Sequence, residues 1–225
     1  MSNLCPDLHR FANRLPLFQF PFDETRIPLN GIYILFEKGE LAHGTNRIVR
    51  VGTHTGKDQL RLRLKQHFVA ENKDRSIFRK NIGRSLLHKE NDSFLRQWEI
   101  DLTTRSAKEK YASQIDREKR LVTEQRVTRY IQESFSFVVL RIDDKYKRLE
   151  LESKIISTIS FCQDCQPSEN WLGRFSPKER IRESGLWLVN ELYKEPLSNQ
   201  DFQELSKIAN EMYRGDYELP GFDFL

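Results

Sequence analysis

Apolar positions recur along the chain in short runs, and the clearest is NGIYILF, residues 30–36. In an extended strand Ile32, Ile34 and Phe36 share one face, and Gly31, Tyr33 and Leu35 share the other. The first set predicts a buried face. The second leaves open whether the Tyr33 hydroxyl is packed away or available for chemistry. RIVRVG, residues 47–52, alternates in the same way. With the turn-rich EKGELAHGTN between them, the two runs predict a β-hairpin. THTGKD then reads as a turn ending at Asp58, the N-cap of a helix in which Leu60, Leu64 and Phe68 form one face. A second helix is expected from Ser76 to about Leu87, and residues 92–102 suit either a strand or a short helix. Residues 104–133 are polar and charged and predict an exposed, largely helical insertion. SFSFVVLRI, 134–142, predicts a third, central strand, and KRLELESKIISTISF, 147–161, a strong helix. Two further helices are expected at about 177–194 and 199–213.

A hairpin joined by a later strand, with helices packed on it, is an α/β (α+β) fold. The expectation is a small three-stranded antiparallel sheet flanked by helices, with a helical insertion and C-terminal helices. No glycine-rich dinucleotide or P-loop fingerprint follows a strand.

Composition narrows the class. The chain has 225 residues, 31% charged and 38% hydrophobic, with 15 Phe and 3 Trp, which suits one globular domain with additions. No apolar run is long enough to span a bilayer, and the N-terminus lacks a signal-peptide core, so a cytoplasmic protein is expected. The net charge of +4 is mild, but its distribution is uneven. Between Arg47 and Arg84 basic residues far outnumber Asp58, Glu71 and Asp74, which suits a polyanionic partner or simply a solvated helical surface. Cys5, Cys162 and Cys165 are too few for a disulfide framework. Cys162-x-x-Cys165 with Cys5 and His9 would make a Cys3His zinc site if the chain gathered them. The two pairs are far apart and lack a glycine-rich knuckle, so ordinary thiols are the expectation.

Three residues break the amphipathic pattern. Glu152 falls on the face built by Leu149, Ile155, Ile156 and Ile159. A carboxylate there must be paired, protonated or metal-bound; a structural ion pair and a metal site stay equally open. Arg63 and His67, four residues apart, flank the Leu60/Leu64/Phe68 face and are placed to reach the sheet edge near Tyr33. An arginine and a histidine there can hold a phosphate or move a proton, or can merely border an amphipathic helix.

Taken in order, Gly31-Ile32-Tyr33, Arg50-Val51-Gly52, Arg63-Leu64-x-x-His67 and Leu151-Glu152-x-x-Ile155-Ile156 resemble the GIY-YIG nuclease superfamily. The resemblance covers residues 30–171, with 104–133 as the insertion, 1–29 as an N-terminal arm and 172–225 as a C-terminal helical extension packed on the core. SIFRKNIGRSL looks like the basic helix of restriction-type members.

The resemblance implies a DNA endonuclease that hydrolyses phosphodiester bonds with one divalent metal, Mg2+ or Mn2+. It implies that Tyr33 acts as base toward a water or positions it, that Arg63 stabilises the transition state, that His67 contacts the scissile phosphate or assists proton transfer, and that Glu152 is the metal ligand. Gly52, Thr53, Thr55, Lys57, Arg79, Lys80 and Asn170 would face the substrate, Asn170 standing for the family's late asparagine. Magnesium suits a single carboxylate, because it keeps most of its waters and takes phosphate oxygens. Arg50 departs from the family, which usually has a tyrosine there; it would still orient the surroundings of the water or favour a phenolate at Tyr33. A restriction or defence role is expected, with branched-DNA repair, or an inactive DNA-binding module marked by Arg50, as alternatives. A palindromic target would imply a homodimer; a monomer is equally compatible.

Overall fold

A computed structural model describes residues 4–214; residues 1–3 of the expected arm and 215–225 of the expected extension lie outside the described residues. In chain order the elements are α1 (Cys5–Arg14), β1 (Phe18–Gln19), β2 (Gly31–Ala42), β3 (Thr45–Gly52), α2 (Leu60–Phe68), α3 (Ile77–Lys89), α4 (Leu95–Trp98), α5 (Arg105–Tyr111), α6 (Arg117–Ser134), β4 (Phe135–Arg141), α7 (Lys145–Ser160), α8 (Glu179–Ser184) and α9 (Asn199–Met212).

The sheet is antiparallel, in the order β1-β4-β2-β3, so it has four strands rather than three. The extra strand comes from the N-terminal arm, where Phe18 pairs with Phe137 and Gln19 with Ser136. Two residues between prolines carry no alternation to read. The hairpin is also longer than expected. β2 runs on to Ala42, and the turn is only His43 and Gly44, both at positive φ, 52° and 74°. The register sets Tyr33 opposite Gly52 and Leu35 opposite Arg50.

Both faces of the sheet are covered. Ile32, Ile34, Phe36, Val138 and Leu140 pack with α1, α7 and α9. Tyr33, Leu35, Val49, Phe137 and Val139 pack with Leu60, Leu64, Phe68, Ile82, Val127 and Ile131 from α2, α3 and α6. Apolar burial on two faces is the main source of stability in such a layered fold.

Several local expectations change. Asp58 is not an N-cap: it sits at φ 57°, accepts from Asn30 Nδ2 at 2.7 Å and donates its N–H to Asn30 Oδ1 at 2.8 Å. Ser76 does cap α3, its Oγ accepting the Arg79 N–H at 3.2 Å. Residues 92–102 resolve as the short helix α4. α5 carries no buried residue, whereas α6 is not an exposed insertion: Thr123, Glu124, Val127 and Ile131 are buried. The helix expected over 177–194 shrinks to α8, closed by Gly185 at φ 66°. The chain then returns to β3, where Trp187 N–H donates to Val49 O at 2.7 Å. Among the described residues no helix is long and apolar enough to cross a membrane.

Buried charges fasten the outer segments to the sheet. Glu37 on β2 accepts from the indole N–H groups of Trp171 and Trp187, each at 2.7 Å, and from the Tyr130 hydroxyl of α6. Burial raises the Glu37 carboxyl, and those three donors oppose the rise. Arg47 bridges Glu40 at 2.6 Å and Gly185 O at 2.6 Å. These bonds place the 185–188 segment against β3, next to Arg50.

Candidate active site

Tyr33 is completely buried, which answers the question its strand raised. Its hydroxyl lies 2.7 Å from His67 Nε2 and 3.4 Å from Arg50 Nε. The ring lies against Gly52, where an added Cβ would come 2.2 Å from the Tyr33 oxygen. The glycine of the second motif is therefore needed by the tyrosine of the first. Gly52→Ala is expected to destabilise the fold by about 2–3 kcal/mol, because a ring held by two hydrogen bonds has nowhere to retreat. Chemical denaturation would show this, and a loss below about 0.5 kcal/mol would mean the ring moves freely.

His67 is held by α2 with no exposure, and its Nδ1 lies 2.7 Å from Ser76 Oγ. Burial lowers its pKa well below 6.5, reinforced by Arg63, Arg50 and Arg79, so the ring is neutral at physiological pH. With Ser76 O–H donating to Nδ1, Nε2–H can donate to Tyr33. With Nδ1–H donating to Ser76, Nε2 can accept from Tyr33. Both ring nitrogens are thus occupied, one by Tyr33 and the other by Ser76. Arg50 donates to the carbonyl of Trp187 and lies with its guanidinium carbon 5.2 Å from the Phe78 ring centre. It fills the place of the family's second tyrosine with a buried cation.

A cleft of about 310 Å3 is lined by Thr53, His54, Thr55, Gln59, Leu62, Arg63, Gln66, Leu149 and Glu152, the residues that follow Gly52 and that share α2 with His67 among them. Glu152 is half-buried on α7 and has no ion pair among the described residues. Burial pushes its carboxyl up to about 7, against the pull of Arg50, the Thr53 backbone N–H and Arg63. The structural ion pair allowed for it in the sequence is not formed. A half-buried, cleft-facing carboxylate short of a cation suits a hard divalent ion that takes one protein oxygen and completes its shell with water and phosphate. Arg63 lines the same cleft, its Nη1 donating to Gln66 Oε1 at 3.2 Å and to Arg75 O at 3.1 Å.

The other expected substrate residues divide. Thr53, Thr55 and Lys57 follow β3; Thr53 and Thr55 line the cleft, although Thr53 Oγ1 also donates to Gly31 O at 2.7 Å. Thr55 and Lys57 open onto an adjoining groove of about 640 Å3 that also carries Arg61, Arg141, Lys145 and Arg148. Arg79 is not available to a substrate: it is fully buried and bound to Glu124 Oε2 at 2.8 Å. Lys80 is turned inward as well, donating to Glu99 O at 2.9 Å. Arg84 pairs with Glu99, so Arg79, Lys80 and Arg84 are all spent inside the fold. Asn170 is exposed and lies outside the cleft, between Ser168, which bonds Glu40, and Trp171, which bonds Glu37.

Sequence reasoning missed Ser76, His54, Gln59, Gln66 and the Trp187 carbonyl. His54 donates Nδ1–H to Gly56 O at 2.6 Å and accepts the Gly31 N–H on Nε2 at 3.3 Å, so it shapes the turn. The serine was legible only as a helix cap, and a backbone carbonyl leaves no mark in the residue code.

A family model described as a GIY-YIG domain matches residues 9–214. The chain belongs to the GIY-YIG family, a family of nucleases, generally endonucleases, whose substrate is DNA. No curated protein and no solved structure matches the chain.

Proposed function

We propose that the protein is a divalent-metal-dependent DNA endonuclease in which Glu152 holds the ion. The observation that carries this is a half-buried carboxylate that has no ion pair among the described residues and lines one cleft with Arg63, linked through Arg50 to the Tyr33–His67 pair. The adjoining groove, with Lys57, Arg61, Arg141 and Lys145 on its walls beside Asp58 and Asp143, is the path we assign to the phosphate backbone. The arm and the 172–188 segment are built into the same cores as the sheet. Additions built into the nuclease body in this way support the restriction or defence type.

Bound magnesium would act as a Lewis acid on the phosphate and the leaving oxygen. The chain's own residues do the rest. Arg63 faces the cleft, where a guanidinium can meet the charge that develops on the phosphate oxygens. Tyr33, sealed behind Gly52, acts as a positioning residue: its oxygen accepts N–H bonds from Arg50 Nε and, in the matching tautomer, from His67 Nε2, with Ser76 O–H donating to Nδ1, and so fixes Arg50 behind the cleft. Arg50 connects the two halves, since it touches Tyr33 and is the strongest charge acting on Glu152.

A plasmid-cleavage assay tests the proposal. Cleavage with magnesium and none with EDTA is expected, and discrete product bands would support the restriction reading over random nicking. Tight DNA binding without cleavage of plasmid, branched or single-stranded DNA would overturn it in favour of an inactive binding module.

A further inference from the structure

At the opposite end of the sheet from Tyr33, the tip of the β2–β3 hairpin meets α1 and the turn after α7. Three thiols and two imidazoles converge there. Cys5 Sγ lies 3.3 Å from Cys165 Sγ, His43 Nε2 lies 3.1 Å from Cys165 Sγ, and Cys162 Sγ lies 3.5 Å from the same His43 nitrogen. Cys162 is also within hydrogen-bonding reach of Cys5. All three cysteines are buried and none is in a disulfide. The nitrogen and sulfur atoms of Cys5, His9, His43 and Cys165 lie within 4.8 Å of one another.

The two histidines differ in one respect that decides between them. His9 Nδ1 is 2.9 Å from Cys5 O, a group that can only accept, so Nδ1 carries the hydrogen. His9 Nε2 is 3.1 Å from the backbone N of Ile48, a group that can only donate, so Nε2 supplies the lone pair. Both nitrogens are engaged. Moving Nε2, the nitrogen with the free lone pair, to a metal would strip the buried Ile48 N–H of its partner. His43 Nε2 has no such backbone partner and faces two sulfurs.

We propose that Cys5, His43, Cys162 and Cys165 form a structural zinc site of Cys3His type, with His9 buttressing it rather than ligating. Four protein ligands leave no open position, which is the mark of a structural site, and Cys162-x-x-Cys165 has the ligand spacing such sites use. Tetrahedral zinc with Zn–S near ~2.3 Å and Zn–N near ~2.0–2.1 Å sets sulfurs about 3.8 Å apart and sulfur and nitrogen about 3.5 Å apart. The present contacts of 3.1–3.5 Å reach those values by a small outward shift. Soft thiolate donors select zinc over magnesium, so this centre is chemically distinct from the cleft. Its consequence is mechanical. It ties the N-terminal helix, the hairpin tip and the end of α7 together, and α7 is the helix that carries Glu152. The proposal does not depend on the nuclease reading.

Elemental analysis of the purified full-length protein is expected to give about one zinc per chain. A mercurial that blocks thiols should release it, and cobalt substitution should give the visible absorption of a tetrahedral thiolate site. His43→Ala is expected to lower zinc occupancy several-fold, while His9→Asn keeps it near one. Wild-type protein with three free thiols and no zinc would overturn the proposal. So would a Cys5–Cys165 disulfide in its place, iron or copper in place of zinc, or zinc lost from the His9 variant but kept by the His43 variant. The wild-type measurements stand even if a variant fails to fold.

Discussion

Glu152→Gln is expected to abolish metal-dependent cleavage while leaving the folded protein more stable at alkaline pH. If the ion's contribution is several kcal/mol, removing its only proposed carboxylate costs about 4 kcal/mol of transition-state stabilisation, ~10³-fold in rate. The stability change has the opposite sign. The folded carboxyl holds its proton up to about 7, against an ordinary value of 4.5. The favourable contribution of the protonated group is therefore complete below 4.5 and is lost as pH rises through 7. For a fully enclosed group that interval corresponds to ~3 kcal/mol, and partial solvent access at Glu152 brings the expectation to about 1–2 kcal/mol. Glutamine is neutral throughout, so its advantage should be near zero at pH 4.5 and full at pH 8. Magnesium should raise the wild-type Tm at pH 8 and leave the variant unchanged. A variant that cleaves at the wild-type rate would remove Glu152 from the metal site. A variant with unchanged rate dependence on magnesium but lower Tm would mark it as purely structural.

Tyr33→Phe is expected to lower the cleavage rate by ~10³-fold with little change in DNA affinity. Phenylalanine keeps the ring packed on Gly52 and removes only the oxygen that faces His67 and Arg50. Leaving those two buried groups without a partner costs about 1–2 kcal/mol of stability, which thermal melts can separate from the rate effect. His67 adds a control on the acid side. Its folded pKa lies well below 6.5, so the unfolded chain takes up a proton that the buried ring refuses. Stability from this group is full above 6.5 and falls as pH drops below that value. A rate loss from Tyr33→Phe that persists at pH 8, where His67 is neutral in both states, cannot come from that titration. Cleavage near the wild-type rate would show that the hydroxyl does not position Arg50 and His67 for the reaction.

Local pattern carried a large part of this protein. The period-two alternation of residues 30–36 and 47–52 and the helical spacing of Leu60, Leu64 and Phe68 are imposed by backbone geometry, so the hairpin and α2 were readable directly. Glu152 stood out for the same reason, as a charge on an apolar face. The fourth strand, the inward course of α6 and the fate of the charged side chains were not readable. Arg79, Arg84 and Lys80 look like a basic surface in one dimension, yet each ends on an acid or a carbonyl donated by another element. A long basic side chain looks the same in a sequence whether it meets solvent or a buried carboxylate.

The sequence by itself determined the hairpin, the helix carrying Arg63 and His67, the anomalous carboxylate and the family resemblance, because each depends on neighbours within a few positions. Only the tertiary structure decided that Tyr33 is sealed against Gly52, that Arg50 is held by the Trp187 carbonyl, and that His43 and His9 gather with the three cysteines, His9 holding the Ile48 N–H while His43 faces two sulfurs. Those outcomes turn on hydrogen-bond partners far apart in the chain, and a donor's choice among distant acceptors is made only when packing brings them together.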